Sequence, residues 1–176
     1  TYNKRYEKDD ILMNFVTNHD ENSWNGTIKE RMGDRAEMLT ALSYVLPGMP
    51  LIYSGQEYDL NHRLKFFEKD SIPKQKQKTF ALLEHLGKLK NTNAALNGGK
   101  EKATFKAVDT GNAMFVLERS KNGKTLLFIA NLSEFSTKLS LSRKGKYQDY
   151  LSNAFVEFNK NDSIKFSPYQ YKILVK

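Results

Sequence analysis

Apolar positions follow two different rhythms along this 176-residue chain. In the first half, a strand-like run (Ile11, Leu12, Met13, Phe15, Val16) stops at the polar cluster Asn18-His19-Asp20. Met38, Leu39, Leu42, Val45 and Leu46 then recur at three- and four-residue spacing, which predicts a helix over 34–46. Pro47-Gly48 ends it. A second short strand over 50–53 runs into another polar end at Gln56-Glu57. Two strand ends with one amphipathic helix between them make a βαβ unit. A further helix is expected from about Ser71-Ile72-Pro73 to Asn91, with Phe80, Leu83, Leu86 and Leu89 on its buried face. Between Gly55 and Ser71 lies a long loop rich in charge and aromatics, a length more often functional than idle.

After Asn97-Gly98-Gly99 the rhythm changes. Short β-branched and aromatic runs recur at 103–108, 114–118, 125–130, 138–141, 147–151, 155–158, 163–166 and 171–175. Turn residues separate several of them: Thr110-Gly111-Asn112, Asn122-Gly123, Asn161-Asp162 and Ser167-Pro168. Such a series of short strands without helices predicts an antiparallel β-sandwich. The expected boundary falls near residue 93, giving an α/β segment over 1–92 and an all-β domain over 93–176.

A hydrophobic share of 39% with 12% aromatics excludes a disordered chain. The best apolar run, around 42–53, is broken by Pro47, Gly48 and Pro50, so no membrane insertion is expected. With no cysteine there are no disulfides and no thiolate metal sites. The net charge of +8 raises nucleic acid as a partner. Residues 1–92 hold 14 Lys and Arg against 13 Asp and Glu, however, and residues 93–176 hold 14 against 7. In the second half the lysines are scattered over strand and turn positions, and the tightest group, Arg143-Lys144-Gly145-Lys146, is expected to be a turn. Lysines at strand edges ordinarily block edge-to-edge pairing, so no nucleic-acid partner is expected.

Phe15-Val16-Thr17-Asn18-His19-Asp20 resembles the fourth conserved region of the α-amylase family of retaining glycoside hydrolases. The stretch from Pro47 to Glu57 resembles the same family's eighth barrel strand and the loop after it. The resemblance implies a fold: the C-terminal portion of a (β/α)8 TIM barrel over 1–92 (strands 7 and 8 with their helices), followed by the family's antiparallel β-sandwich domain over 93–176.

It also implies roles. Asp20 matches the family's third carboxylate, a transition-state stabiliser that hydrogen-bonds two hydroxyls of the glucose in the cleaved subsite and helps distort that ring. His19 matches the imidazole that contacts the same sugar. Bonds that strengthen as the ring flattens contribute rate rather than mere affinity. As a turn residue or helix cap, Asp20 would need no substrate. Trp24, the single tryptophan, either stacks on a pyranose face or packs beneath a loop. Arg63 is a further substrate-binding candidate in the long loop, although a solvated position is the default for Arg63 and His62. Asn18, Gln56 and Glu57 are expected to support the strand ends. His85, inside the second helix, is expected in a core or surface position.

No segment resembles the family's Gly-x-Arg-x-Asp motif with its nucleophilic aspartate, and none carries the acid glutamate. Retaining hydrolysis needs those two carboxyl groups about 5 Å apart across the scissile bond. The chain is therefore expected to be part of a longer α-glucan-acting enzyme and inactive alone. The other reading is a non-catalytic relative, or a sandwich module that binds carbohydrate or protein. No cofactor is expected in this chain, because the calcium site of those family members that have one is built mainly from segments it lacks. Two barrel strands without neighbours would leave open edges, through which self-association is expected.

Overall fold

A computed structural model of the chain describes residues 6, 7, 9–159 and 162–176. Thr1–Thr92 and Asn93–Lys176 form two compact units.

The first unit is built on two short parallel strands, β1 (Met13–Asn14) and β2 (Met49–Pro50), with Met13 opposite Met49 and Asn14 opposite Pro50. Both are shorter than their apolar runs; at their ends Met49 N and Leu51 N donate across the gap to the carbonyls of Leu12 and Asn14, at 2.8 Å each. Gly48 permits this approach. Its φ is +117°, and a Cβ there would sit 2.3 Å from the Leu12 carbonyl oxygen. Asn14 Nδ2 donates to the Pro47 carbonyl at 2.9 Å, and Lys90 Nζ donates to that of Gly48 at 2.8 Å. Ile11, Leu12, Met13, Phe15, Met49 and Ile52 remain exposed along this pair.

The helix expected over 34–46 is present from Ala36, and a separate short helix that the periodicity did not signal precedes it. α1 (Ile28–Met32) starts at a capping box, with Thr27 as N-cap and Glu30 closing it. A 3-10 turn (Gly33–Arg35) leads into α2 (Ala36–Val45), which buries Met38, Ala41, Tyr44 and Val45. α3 spans Lys78–Thr92, so it starts several residues after Pro73. The reason is tertiary: Asp59, from the long loop, accepts hydrogen bonds from Thr79 N (3.1 Å) and Thr79 Oγ1 and so caps the helix from a distance. Leu83, Leu86 and Leu89 of α3 are buried, while Phe80 is half-buried. His85 is exposed, its Nδ1 2.7 Å from the Ala81 carbonyl.

The described residues of the second unit form eight antiparallel strands: β3 (Thr104–Val108), β4 (Met114–Lys121), β5 (Lys124–Asn131), β6 (Thr137–Ser140), β7 (Gly145–Asp149), β8 (Phe155–Phe158), β9 (Ser163–Phe166) and β10 (Tyr171–Val175). Six form one sheet in the order β3-β4-β5-β10-β7-β8, and β6 pairs with β9. Alternate side chains of the larger sheet (Val116, Leu127, Ile129, Leu174) meet Leu139 and Phe166 of the smaller one in a single buried cluster. The antiparallel sandwich expected from the strand rhythm is thus present. Asn122 and Gly123, at φ +50° and +74°, make the tight turn between β4 and β5. The group Arg143-Lys144-Gly145-Lys146 is not wholly a turn: Gly145 and Lys146 open β7, paired with Phe158 and Glu157, and Arg143 pairs with Glu118. The expected turn at Asn161-Asp162 lies partly outside the described residues. No helix among the described residues is long and apolar enough to cross a membrane.

A guanidinium is enclosed in this unit. Arg119 is 1% exposed, and burial pulls its pKa below the ordinary guanidinium value. Its Nε donates to the Thr104 carbonyl and its Nη2 to that of Asn97, both at 2.9 Å, tying the inlet segment of the sandwich to β4. Arg119→Ala should therefore destabilise the second unit by about 2–4 kcal/mol, since it removes charge-assisted bonds and strands two carbonyls. Arg119→Lys should not restore it, because an ammonium cannot reproduce the planar fork. Hydrogen exchange of the β4 and β5 amides measures both; unchanged protection in Arg119→Ala would refute the assignment.

Candidate functional site

Because β1 and β2 are parallel, the polar segments that follow them, Asn18-His19-Asp20 and Gln56-Glu57, leave from the same end of the pair. Asn18 Oδ1 accepts from Glu21 N at 2.8 Å and opens a helical turn that continues as a π-helix over Glu21–Asn25. His19 and Asp20 sit at the head of this turn. Their side chains are 64% and 61% exposed, and His19 Nε2 lies 3.6 Å from Asp20 Oδ2. Neither is buried behind protein, and both present hydrogen-bonding atoms to solvent. Arg31 braces the turn from below, with Nη2 2.8 Å from Glu21 Oε2 and Nη1 donating to the Val16 carbonyl at 3.2 Å.

The long loop is tied to the same turn by polar side chains that sequence reasoning did not single out. Asn22, 5% exposed, donates through Nδ2 to the His62 carbonyl (3.1 Å) and accepts at Oδ1 from Leu64 N (2.8 Å). Ser23 Oγ donates to the Leu64 carbonyl at 2.7 Å, and Thr27 Oγ1 to Asn61 Oδ1 at 2.7 Å. Arg63 is not left in solvent: its Nε and Nη2 lie 2.9 and 3.2 Å from the two Glu30 oxygens, so it clamps the loop to α1. Within the loop, Asp70 accepts from Lys65 N (3.0 Å) and Ser71 N (2.8 Å), with His62 Nε2 2.9 Å away.

This bracing brings Phe66 and Phe67 against the helical turn. The Phe66 ring centroid lies 5.7 Å from His19 and 5.2 Å from Trp24; Phe67 lies 6.3 Å from Trp24 and 4.8 Å from Phe66. Trp24 is 58% exposed and lies against Phe66 and Phe67 of the long loop. The only signal in the sequence for Phe66 and Phe67 was the aromatic content of a long loop, because the pairing that positions them spans some forty residues.

At the other strand end, Gln56 is buried and its Oε1 accepts from Tyr53 N at 3.3 Å. Glu57 Oε2 and Thr17 Oγ1 are buried without a hydrogen-bond partner among the described residues. A cleft of about 600 Å³ lined by Lys29, Glu37, Asp59 and Lys78 includes neither His19 nor Asp20. Three of these charged groups serve structure: Lys78 pairs with Glu37, and Asp59 caps α3. No group of three or more His, Asp or Glu among the described residues could hold a metal ion.

No protein-family profile matches the sequence, and no curated protein does either. Solved structures do. The chain is similar to a noncanonic maltogenic α-amylase, AmyB, from Thermotoga neapolitana, with a TM-score of 0.81 and 18% identity over 99% of this chain and 43% of that one. It is similar to an α-amylase from Geobacillus thermoleovorans complexed with acarbose, with a TM-score of 0.76 and 17% identity over 99% of this chain and 41% of that one. An α-amylase from Lactobacillus plantarum gives a TM-score of 0.75 and 20% identity over 99% and 40%. The likeness is one of fold, and the chain spans about two fifths of the length of the structures it matches.

The loop clamp is acid-sensitive. Backbone donation from Lys65, then the bond from His62 and that from Ser71, hold the Asp70 carboxyl at about 2 instead of 3.8. The Arg63 bond, followed by that from the Thr27 backbone, holds Glu30 at about 2 instead of 4.5. A depressed carboxyl pKa stabilises the fold above the unfolded-state value, and that contribution is lost as pH falls through the folded value. The clamp should thus be intact at pH 5 and release between about pH 4.5 and 2. Acrylamide quenching of Trp24 should rise across that window, and Asp70→Asn should show raised quenching already at pH 7. A transition centred at or above pH 5 would show that other groups control the loop.

Proposed function

We propose that this chain is the C-terminal part of an α-amylase-like glycoside hydrolase that acts on α-glucosidic bonds of starch or malto-oligosaccharides by the retaining mechanism. One observation carries the reading: a carboxylate-imidazole pair, Asp20 and His19, stands exposed at the carboxyl end of a parallel strand pair, within a fold matched over nearly its whole length by α-amylase structures. Ligands of parallel α/β sheets bind at that end, where loops can vary without disturbing the scaffold.

In this reading β1 and β2 are the last two strands of a (β/α)8 barrel. Further strands of the parent would cover the exposed apolar residues along the pair. They would also bring donors to Glu57 Oε2 and Thr17 Oγ1, since a buried oxygen left unpaired costs roughly 1–3 kcal/mol. Without them, the same face is a route to self-association of the chain. The second unit is the parent's C-terminal β domain.

Asp20 accepts hydrogen bonds from two hydroxyls of the sugar at the cleaved position, and His19 contacts the same ring. As the ring flattens toward an oxocarbenium ion its hydroxyl protons become better donors, so the Asp20 bonds strengthen in the transition state. Asn18 positions both groups by capping their turn. The nucleophile and general acid come from upstream segments of the parent. Trp24 adds an apolar surface beside this sugar.

Two tests follow from these roles. The isolated 176-residue chain should release no reducing sugar from soluble starch. Turnover that copurifies with it and disappears in Asp20→Asn would overturn the assignment of nucleophile and acid to other segments. In the longer parent, Asp20→Asn should lower kcat far more than it raises KM, by a loss on the order of 3 kcal/mol of transition-state stabilisation. A near-normal kcat would refute the role given to Asp20.

A further inference from the structure

The cleft of about 600 Å³ between α2 and the start of α3 holds polar groups that the fold does not use. Thr40 of α2 is 4% exposed and Gln56 is 7% exposed, and both line it. A hydroxyl and an amide so deeply placed ordinarily bond within the protein. Among the described residues, Thr40 Oγ1 and Gln56 Nε2 have no such partner; the Gln56 amide is engaged only through Oε1, by Tyr53 N. Neither atom is sealed off as Thr17 Oγ1 and Glu57 Oε2 are, so both open onto the cleft their residues line. Ile28, Leu60 and Leu82 supply apolar wall. Of the charged groups around it, Lys78 and Glu37 neutralise each other and Asp59 is engaged by Thr79. Lys29 and Asp34, one of each sign, have no partner among the described residues.

We infer that this cleft binds a small neutral polyhydroxylated molecule of one or two rings, and that its occupation steadies the long loop. The volume is that of a small-molecule site, roughly 300–1,000 Å³. With one free charge of each sign at the cleft, neither an anion nor a cation gains a net partner. A hydroxyl both donates and accepts, so a polyol satisfies Thr40, Gln56, Lys29 and Asp34 without burying a charge. Walls from α1, α2, the segment 59–61 and α3 surround the cleft, which favours a short molecule over a polymer. The link to the loop runs through Asn61, which lines the cleft and accepts at Oδ1 from Thr27 Oγ1. Thr27 is the N-cap of α1, and its capping partner Glu30 holds Arg63 of the loop. A ligand that bridges α2 and Asn61 therefore restrains the loop at its anchor, and by linkage a steadier loop binds the ligand more tightly. The inference stands apart from the glycosidase reading, because the cleft includes neither His19 nor Asp20.

Calorimetric titration of the chain with glucose, maltose, myo-inositol and maltohexaose tests this. The first two are sugars and the third a cyclitol, so the arms separate two sources of the same hydroxyl chemistry. At least one of these three should bind with a Kd on the order of 1–10 mM, and maltohexaose no better than maltose. Thr40→Val should weaken that binding about tenfold while leaving Tm unchanged or raised, because the lost hydroxyl has no protein partner. Ala36→Leu keeps a good helix former and fills the cleft, and should weaken binding at least as much. Acrylamide quenching of Trp24, the only tryptophan, should fall on saturation in the native chain and in Asp20→Asn alike. No binding of the three small ligands at about 50 mM, equal binding by Thr40→Val, or a Tm lowered by that substitution would overturn the site. Binding lost in Asp20→Asn but kept in Thr40→Val would overturn it too, by moving the ligand to the strand-end pair, and would leave the glycosidase reading standing. Maltohexaose binding more than about tenfold tighter than maltose would overturn the limit to one or two rings. Unchanged quenching on binding would overturn the coupling to the loop.

Discussion

The side-chain amide of Asn22 is the joint on which the site in the first unit depends. It is buried, and it satisfies both a carbonyl and an N–H of a loop some forty residues away, Nδ2 to the His62 carbonyl and Oδ1 from Leu64 N. A planar amide is the one uncharged side-chain group that offers a donor and an acceptor side by side, as an extended backbone segment does. Leu64 itself is buried at the contact, so its backbone groups have no water to fall back on. Once that segment is docked, the remaining ties become short-range events: Ser23 reaches the Leu64 carbonyl, Thr27 reaches Asn61, and Glu30 engages Arg63. Glu30 also closes the capping box of α1, so the loop and the helix start share one carboxylate.

The two units obtain their order by different means. The sandwich is held by area: β5 runs through its middle with Leu126–Asn131 all buried, and each antiparallel neighbour adds a regular ladder. Its rings stack in pairs, Phe128 with Tyr171 at 5.9 Å and Tyr147 edge-on to Phe158 at 5.7 Å. The first unit has two strands of two residues each and leaves apolar side chains exposed along them. Its loops are ordered by specific hydrogen bonds and ion pairs, which fix directions better than hydrophobic burial does. A binding site needs that kind of order, because a hydroxyl-binding carboxylate misplaced by a fraction of an ångström loses most of its value.

This difference decides what could be read from the sequence. The eight strands of the sandwich were legible because alternation and turn residues are local signals; Phe155–Phe158, Ser163–Phe166 and Tyr171–Val175 begin and end where the pattern does. The strand-end cluster Asn18-His19-Asp20 was visible as a break in an apolar run. The late start of α3 was not, since its cap is Asp59, nineteen residues before the helix begins, at a φ of +54° that no local rule assigns. Nor were Asn22, Phe66 and Phe67. Asn22 reads as one more polar residue in a turn, and a Phe-Phe pair in a charged loop gives no hint of which ring it will meet. The role of Arg63 depended in the same way on Glu30, thirty-three residues away.

Gly48 shows how far such dependence reaches. Its Cα faces the Leu12 carbonyl so closely that any side chain would collide with it, at 2.3 Å for a Cβ, and its φ of +117° is one that L-residues rarely adopt. The Met49 N to Leu12 carbonyl bond, which starts the parallel pairing, needs that closeness. The pairing sets the height at which β1 ends, and β1 carries Asn18, His19 and Asp20 beyond its end. A glycine in the segment leading to β2 thereby controls where an imidazole and a carboxylate from β1 stand. The Pro-Gly-Met-Pro sequence is more than a helix breaker: its first proline ends α2 and its glycine lets the strands touch. Pro50 gives up an N–H at a position flanked by two residues, Met49 and Leu51, whose N–H groups donate across to the first strand.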